Sequence, residues 1–348
     1  MKKKRQLQWI PVYLLLVFIL SGCASRNEEA AVQIEDVDDK LQIGLCFDSF
    51  VIERWIRDRE VFDITAKSKG AEVNVQNANG NIEEQIEQIE YFIKKKVDVI
   101  VIIAIDGESL EEVVGKAKEE GIKVVAYDRL IMNGNVDLYI SFDNVEVGRL
   151  MARAMIDKLP ERGKIFTIKG SPSDNNVALV EKGFQEVISQ SSLEVVYSAN
   201  CDNWRAELAY DAVCEGLEKE KDIGGIMCGN DDLANQVFRA LSENRMAGEV
   251  VLVGQDAELS ACQRIMEGTQ AMTVYKSVEI LAQTAAEYAI MLGEGESIEY
   301  EDTMFDGTYE VPYVSMDPVA VTEENMEEII IDSNFHTREE VYLNVELK

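Results

Sequence analysis

Short, unbroken apolar runs that stop abruptly at a polar pair recur along this chain, each joined to the next by a stretch of helical periodicity. Residues 122–129, Ile-Lys-Val-Val-Ala-Tyr-Asp-Arg, show the unit most plainly. Val124, Val125 and Ala126 have no polar residue between them, as in a strand covered on both faces of a parallel sheet. The run ends at Asp128 and Arg129, where open α/β sheets hold ligands beyond their strand ends. On their own these two residues could equally pair with each other at a loop; the recurrence of the pattern decides against that reading.

Strands are expected at 41–47, 73–75, 97–103, 122–127 and 138–142, then again at 164–168, 195–197, 223–228, 250–253 and 271–275. Helices are expected between them at 53–69, 81–96, 108–120, 145–159, 176–190, 204–219, 233–244 and 259–267, and after the last strand at 277–292. Gly70, Gly121 and Gly268 stand just past helical runs as stops. Asn81 followed by Glu84 resembles a capping box, with Lys94, Lys95 and Lys96 in the last turn. Strand–helix alternation of this kind builds right-handed βαβ units. Two successive sets predict two similar doubly wound parallel-sheet lobes, joined by short hinge crossings, the first near 141–144. Residues 303–321, with Gly307, Pro312 and Pro318, read as an irregular crossing and a covering strand. The expected organisation is a signal at 1–22, a tether at 23–40, a first lobe of 41–142 plus 276–304, and a second of 143–275 plus 305–348.

At the N-terminus Lys2, Lys3, Lys4 and Arg5 precede an apolar stretch over 9–20 and then Leu20-Ser21-Gly22-Cys23. That is a secretory signal rather than a full membrane span. Its ending resembles a bacterial lipobox, which would make Cys23 the lipidated first residue and 23–40 an acidic tether; an ordinary signal with a chance cysteine is the alternative. The formal charge is −31, and removing those four cations makes it about −35 by the arithmetic of charge patterning. Such acidity argues against nucleic acid. Five further cysteines, Cys46, Cys201, Cys214, Cys228 and Cys262, lack the number or spacing of a disulfide framework or zinc site.

Strand ends carry Asp48 with Arg54 and Trp55, Asp128 with Arg129, Asp174 with Asn175 and Asn176, Asp202 with Trp204, Asn230 with Asp231, Gln255 with Asp256, and Lys276. If the lobes face each other these groups share one cleft. Carboxylates, amides and cations grip neighbouring hydroxyls, and an indole face packs on a sugar ring, so the mixture suits a neutral polyhydroxylated ligand. Individually, Asn176, Asp202 and Asp231 read as helix caps, and the tryptophans as core residues. No Gly-x-Ser-x-Gly elbow, P-loop or zinc-ligand pair is present. The single histidine, His336, falls in the tail outside the expected cleft, so no catalytic residue, metal or cofactor is expected.

Several blocks resemble the D-xylose-binding proteins of bacterial ABC sugar importers, within the ribose/galactose-type (type I) periplasmic-binding-protein family. They are Glu53-Arg54-Trp55, Gln76-Asn77-Ala78-Asn79-Gly80-Asn81, Ala126-Tyr127-Asp128-Arg129, Tyr139-Ile140-Ser141-Phe142-Asp143-Asn144, Gly170-Ser171-Pro172 with Asp174-Asn175-Asn176, Gly254-Gln255-Asp256-Ala257, and Gly268-Thr269-Gln270 leading to Lys276. The chain departs from similar proteins at Ser49-Phe50-Val51, where a second Arg is usual. The resemblance implies sugar contacts from Arg54, Trp55, Asp128, Arg129, Asn175, Trp204, Asn230, Asp256 and Lys276. It also implies a monomeric, lipid-anchored extracytoplasmic receptor that passes D-xylose, or a close monosaccharide, to ABC permease subunits. A sugar-sensing lipoprotein feeding a chemoreceptor or sensor kinase is the alternative, and a transcription regulator with this core would instead begin with a helix-turn-helix domain.

Overall fold

The computed structural model describes residues 40–52, 54–159, 163–300 and 302–345; Cys23, the expected signal and the tether up to residue 39 lie outside the described residues. The first lobe is laid down as β1 (Gln42–Phe47), α1 (Arg54–Ser68), β2 (Glu72–Asn77), α2 (Ile82–Lys95), β3 (Val99–Ile102), α3 (Glu111–Glu119), β4 (Lys123–Tyr127) and β5 (Leu138–Phe142). The second follows as α4 (Asn144–Lys158), β6 (Gly163–Lys169), α5 (Asn175–Ile188), β7 (Leu193–Asn200), α6 (Glu207–Lys219), β8 (Gly225–Cys228), α7 (Asp231–Glu243), β9 (Val251–Gln255), α8 (Leu259–Met266) and β10 (Met272–Tyr275). The chain then returns to the first lobe through α9 (Val278–Gly293), β11 (Asp302–Phe305) and β12 (Glu310–Met316). It crosses back for β13 (Val319–Val321) and ends in α10 (Arg338–Val341).

Seven strands make the first sheet, in the order β11-β12-β5-β4-β3-β1-β2, and six make the second, β13-β10-β9-β8-β6-β7. Every pairing is parallel except β11 with β12 and β13 with β10. The Val-Ile-Val-Ile run of β3 is wholly buried, each side chain contributing about 1.5–3 kcal/mol of burial. The expected glycine stops at Gly70, Gly121 and Gly268 all have positive φ. Asn81 caps α2 by accepting from the Glu84 N–H at 3.1 Å.

One boundary differs from the expectation. Residues 305–316 do not join the second lobe: Tyr313 to Met316 pair in parallel with Tyr139 to Phe142, and Asp302 to Phe305 pair with β12 on its other side. The crossing comes later, between β12 and β13. Gly307, at φ 104°, turns the hairpin, and Pro312 sits inside β12. These two residues mask a strand in the sequence, because proline supplies no ladder donor and glycine weakens the periodicity. The tail beyond β13 is also ordered. A π-helical turn at Glu327–Ile331 and α10 bury Met326, Ile330, Phe335 and Val341 against Ala257, Cys262, Ile265 and Tyr275.

Two helix contacts place the elements that matter for the cleft. On α9, Leu281, Ala282, Ala285, Ala286 and Ala289 are fully buried in the cluster that holds Trp55, Phe142 and the β1 side chains. Across the second lobe, α4 and α5 touch backbone to backbone: a Cβ on Gly148 would lie 2.0 Å from the Val180 carbonyl oxygen, and one on Gly183 would lie 1.8 Å from that of Val145. No residue larger than glycine fits, so the middle of α5 is fixed against the start of α4.

Candidate functional site

The sheets direct the carboxyl ends of their strands into one seam, and an acid at the end of β4 is repeated at the end of β9. Asp128 has φ 65° and Asp256 has φ 93°. In each the backbone N–H donates to the neighbouring strand at 2.8 Å, Asp128 to Ile140 and Asp256 to Val274. A left-handed backbone is costly for a residue with a Cβ and persists where surrounding contacts hold it. Each lobe thus turns the same aspartate out of its sheet and into the seam.

Arg54, the first residue of α1, lies between them. Its Nη2 donates to Asp128 Oδ2 at 2.7 Å and to Asp58 at 3.3 Å, while Nη1 is 3.9 Å from Asp256 Oδ1. Lys276, at the second crossing, reaches the same Asp256 oxygen at 2.7 Å. Further along the seam Arg129 donates to Asp48 at 2.8 Å and to the Ala104 carbonyl at 2.9 Å, and its Nε is 2.8 Å from Asp174 Oδ2. Asp174 also accepts from the Trp204 indole at 3.1 Å. Asp48, Arg54, Asp58, Asp128, Arg129, Asp174 and Lys276 are buried, and the Asp256 side chain is only 8% exposed.

Five carboxylates, Asp48, Asp58, Asp128, Asp174 and Asp256, therefore meet three cations, Arg54, Arg129 and Lys276. Burial would push the Asp128 carboxyl up, but Arg54, Lys276 and Arg129 outweigh it and hold it below the usual carboxylate range. Burial prevails at Asp48, Asp58 and Asp174, whose carboxyls are raised despite their arginine partners. At Asp58 the Tyr127 hydroxyl donates a short hydrogen bond as well. Behind Asp256, Asp231 at the start of α7 is pushed up to about 7, chiefly by burial, although it accepts from Thr273 and Gln270.

The cavity between the lobes is lined by Arg54, Trp55, Asp128, Arg129, Trp204, Asn230, Asp256 and Lys276, together with Asn144, Lys169, Asp174, Asn176, Gln255 and the apolar Ile52, Val177, Val180 and Met227. Arg54 stacks over Trp55 with its guanidinium 4.3 Å from the ring centroid. Trp204 packs against the apolar clusters of both lobes. Asn203 and Trp204 have φ of 53° and 55°, and the indole rests on Gly170, where a Cβ would come within 2.2 Å of the ring.

Asn175 is the expected site residue that does not line this cavity. Its Oδ1 accepts from the Leu130 N–H at 2.9 Å. Asn176 takes the cavity position instead, its Nδ2 donating to both the carbonyl and the carboxylate of Asp128 at 2.9 Å. Successive residues at a helix start differ by about 100° in direction, so one residue separates lining the cavity from bonding to Leu130 outside it. The caps fall on Asp174 and Asn230, each accepting from a backbone N–H of its helix, rather than on Asn176 and Asp231. Asp202 is exposed and makes no side-chain cap. Sequence reasoning also missed the tail. His336 bonds to the Ala257 carbonyl at 2.8 Å and, with Phe335 and Arg57, lines a second cavity that shares Ile52, Arg54 and Asp256 with the first.

Cys46, Cys201, Cys214, Cys228 and Cys262 are free, all but Cys214 buried. Among the described residues no cluster of His, Cys, Asp or Glu is arranged to hold a metal ion. No described helix is long and apolar enough to cross a membrane.

A family profile described as a periplasmic binding protein domain matches residues 43–297. The chain belongs to that family. It is 44% identical over 307 residues to a D-xylose-binding periplasmic protein of Haemophilus influenzae, covering 87% of this chain and 92% of the relative. It is 41% identical over 307 residues to the protein of the same name in Escherichia coli, covering 87% and 93%. Among solved structures, an ABC transporter solute-binding protein of Clostridium phytofermentans with bound β-D-glucose superposes at a TM-score of 0.79, at 27% identity, over 86% of this chain and 99% of that one. The two parallel-dominated lobes are those of a type I periplasmic binding protein. The relatives are named as binding proteins.

Proposed function

We propose that the protein captures D-xylose between its lobes and delivers it to an ABC permease. The observation that carries this reading is that Asp128 and Arg54 from the first lobe and Asp256, Asn230 and Trp204 from the second line one buried cavity, with Lys276 at the crossing between them. A pentopyranose has fewer hydroxyls than the cavity has polar side chains, so each hydroxyl can donate to one neighbour and accept from another. Arg54 Nε, Trp55 Nε1 and Gln255 Oε1 are buried without a hydrogen-bond partner among the described residues and are groups that such hydroxyls can satisfy. Each hydrogen bond to a charged partner contributes about 1.5–3 kcal/mol, enough in sum to offset ordering and closure. In this reading Arg54, Asp128, Arg129, Asn176, Asn230, Asp256 and Lys276 grip hydroxyls, and Trp55 and Trp204 wall the ring.

The D-xylose names of the relatives above 40% identity favour a pentose, and a tryptophan wall excludes the hydroxymethyl group that distinguishes a hexose. Lipidation at Cys23 would keep the receptor at the outer face of the cell membrane as a monomer. Calorimetry of the mature domain with D-xylose, D-ribose, L-arabinose, D-glucose and D-galactose tests the assignment. Xylose is expected to bind most tightly; a hexose binding alone would overturn the pentose, and a Trp204→Ala variant that takes glucose no better than the parent would overturn the role of the wall.

A further inference from the structure

Three consecutive residues at the start of α5 meet three consecutive residues that leave β4. Asp174 pairs with Arg129 at 2.8 Å, Asn175 accepts from the Leu130 N–H at 2.9 Å, and Asn176 donates to Asp128 twice at 2.9 Å. The Tyr139 hydroxyl reaches Asn176 from the first lobe as well, at 3.4 Å.

The six residues divide by duty. Asp128, Arg129, Asp174 and Asn176 line the cavity, whereas Asn175 and Leu130 do not. Asn175 and Leu130 are joined by a bond between a side chain of one lobe and a backbone group of the other. That bond can form only when the lobes are together, because α5 is fixed within its own lobe by the Gly148 and Gly183 contacts, and Leu130 belongs to the other. Asp174 adds a second tie. The carboxylate that receives Arg129 across the seam also holds the Trp204 indole, so closing and setting the ring wall share one atom, Asp174 Oδ2.

We infer that Asn175 is a closure clamp: it sets how firmly the lobes stay shut through Leu130, and so governs retention of the sugar without touching it. This rests on the sugar-binding reading above but makes a separate demand. A side chain in contact with the ligand changes the ranking among sugars when removed; a clamp weakens all of them by one factor, because it acts on the open–closed equilibrium that every ligand shares.

The test compares Asn175→Ala and Asn175→Asp with the parent, using xylose, arabinose, ribose and glucose as probes. Asn175→Ala is expected to lower the affinity of every sugar the parent binds by about five- to tenfold, the worth of one interlobe hydrogen bond, with the loss in the dissociation rate. Asn175→Asp keeps an acceptor for the Leu130 N–H and is expected to retain most of the affinity. Thermal unfolding without sugar, matched between the variants and the parent, shows that the lobes themselves are intact. Unchanged affinity in Asn175→Ala, a reordered sugar ranking, or an Asp variant as weak as the Ala variant would each overturn the clamp. If the parent binds none of the probes, the sugar reading fails on its own. The clamp is then read from hydrogen exchange at the Leu130 amide, slower in the parent than in Asn175→Ala; equal rates would overturn it.

Discussion

Gly170 in the cavity wall and Asp231 behind it show how single residues determine the shape and the charge of the site. A methyl group on Gly170 would meet the Trp204 ring at 2.2–2.5 Å, and the indole can relieve that clash only by moving. Gly170→Ala is therefore expected to weaken xylose binding by at least about tenfold, as the loss of one well-placed aromatic contact does, and to shift the tryptophan fluorescence maximum; unchanged titrations would contradict it. Asp231 carries a pH signature. Its carboxyl loses its proton near 3.8 in the unfolded chain but at about 7 in the folded protein, chiefly because burial disfavours the charged form. The stabilisation from the bound proton is whole below the unfolded value and disappears as pH rises to about 7. Asp231→Asn, uncharged throughout, should gain on the parent by ~1 kcal/mol or more between pH 5 and pH 8 in urea melts. A constant difference across that range would refute this.

Among the elements, those with unbroken apolar runs and glycine stops were legible in the sequence. β3, β4, β8 and β9 lie where period and composition place them, because a strand covered on both sides has no choice of face. β12 was not legible as part of the first lobe, since Pro312 breaks its run and its partner β5 lies about 170 residues earlier; no local signal encodes such a pairing. The site followed the same division. Strand-end residues such as Asp128 and Asp256 could be read as a group, whereas the choice between Asn175 and Asn176 depends on helix phase at a start defined only by the Asp174 cap. The α4–α5 contact supports a prediction at this scale. Gly183→Ala or Gly148→Ala would drive a methyl group into a backbone carbonyl, with an expected cost of roughly 2–3 kcal/mol from overpacking. Each should lower the urea midpoint and, by displacing the start of α5, the affinity for xylose. A variant with parental stability would show that the helices can part without cost.

For the molecule as a whole, a ligand held by both lobes stabilises their joined form. Xylose at one hundred times its dissociation constant should raise the free energy of unfolding by about 2.7 kcal/mol and lower the radius of gyration in solution scattering; a thermal shift without compaction would argue for binding to one lobe alone. The route of the chain has a further consequence, for synthesis. The first lobe takes α9 and β12 from residues 278–316, after β6 to β10 of the second lobe have been made. A ribosome translating this message releases the second lobe's parallel strands, β6 to β10, in one continuous block, so that lobe can assemble its parallel core early. The amino-terminal half must wait, with the β3 and β4 face that α9 covers still open to water, until roughly the last fifth of the chain is emerging. Whatever guards the nascent protein against misassociation has to guard that face longest.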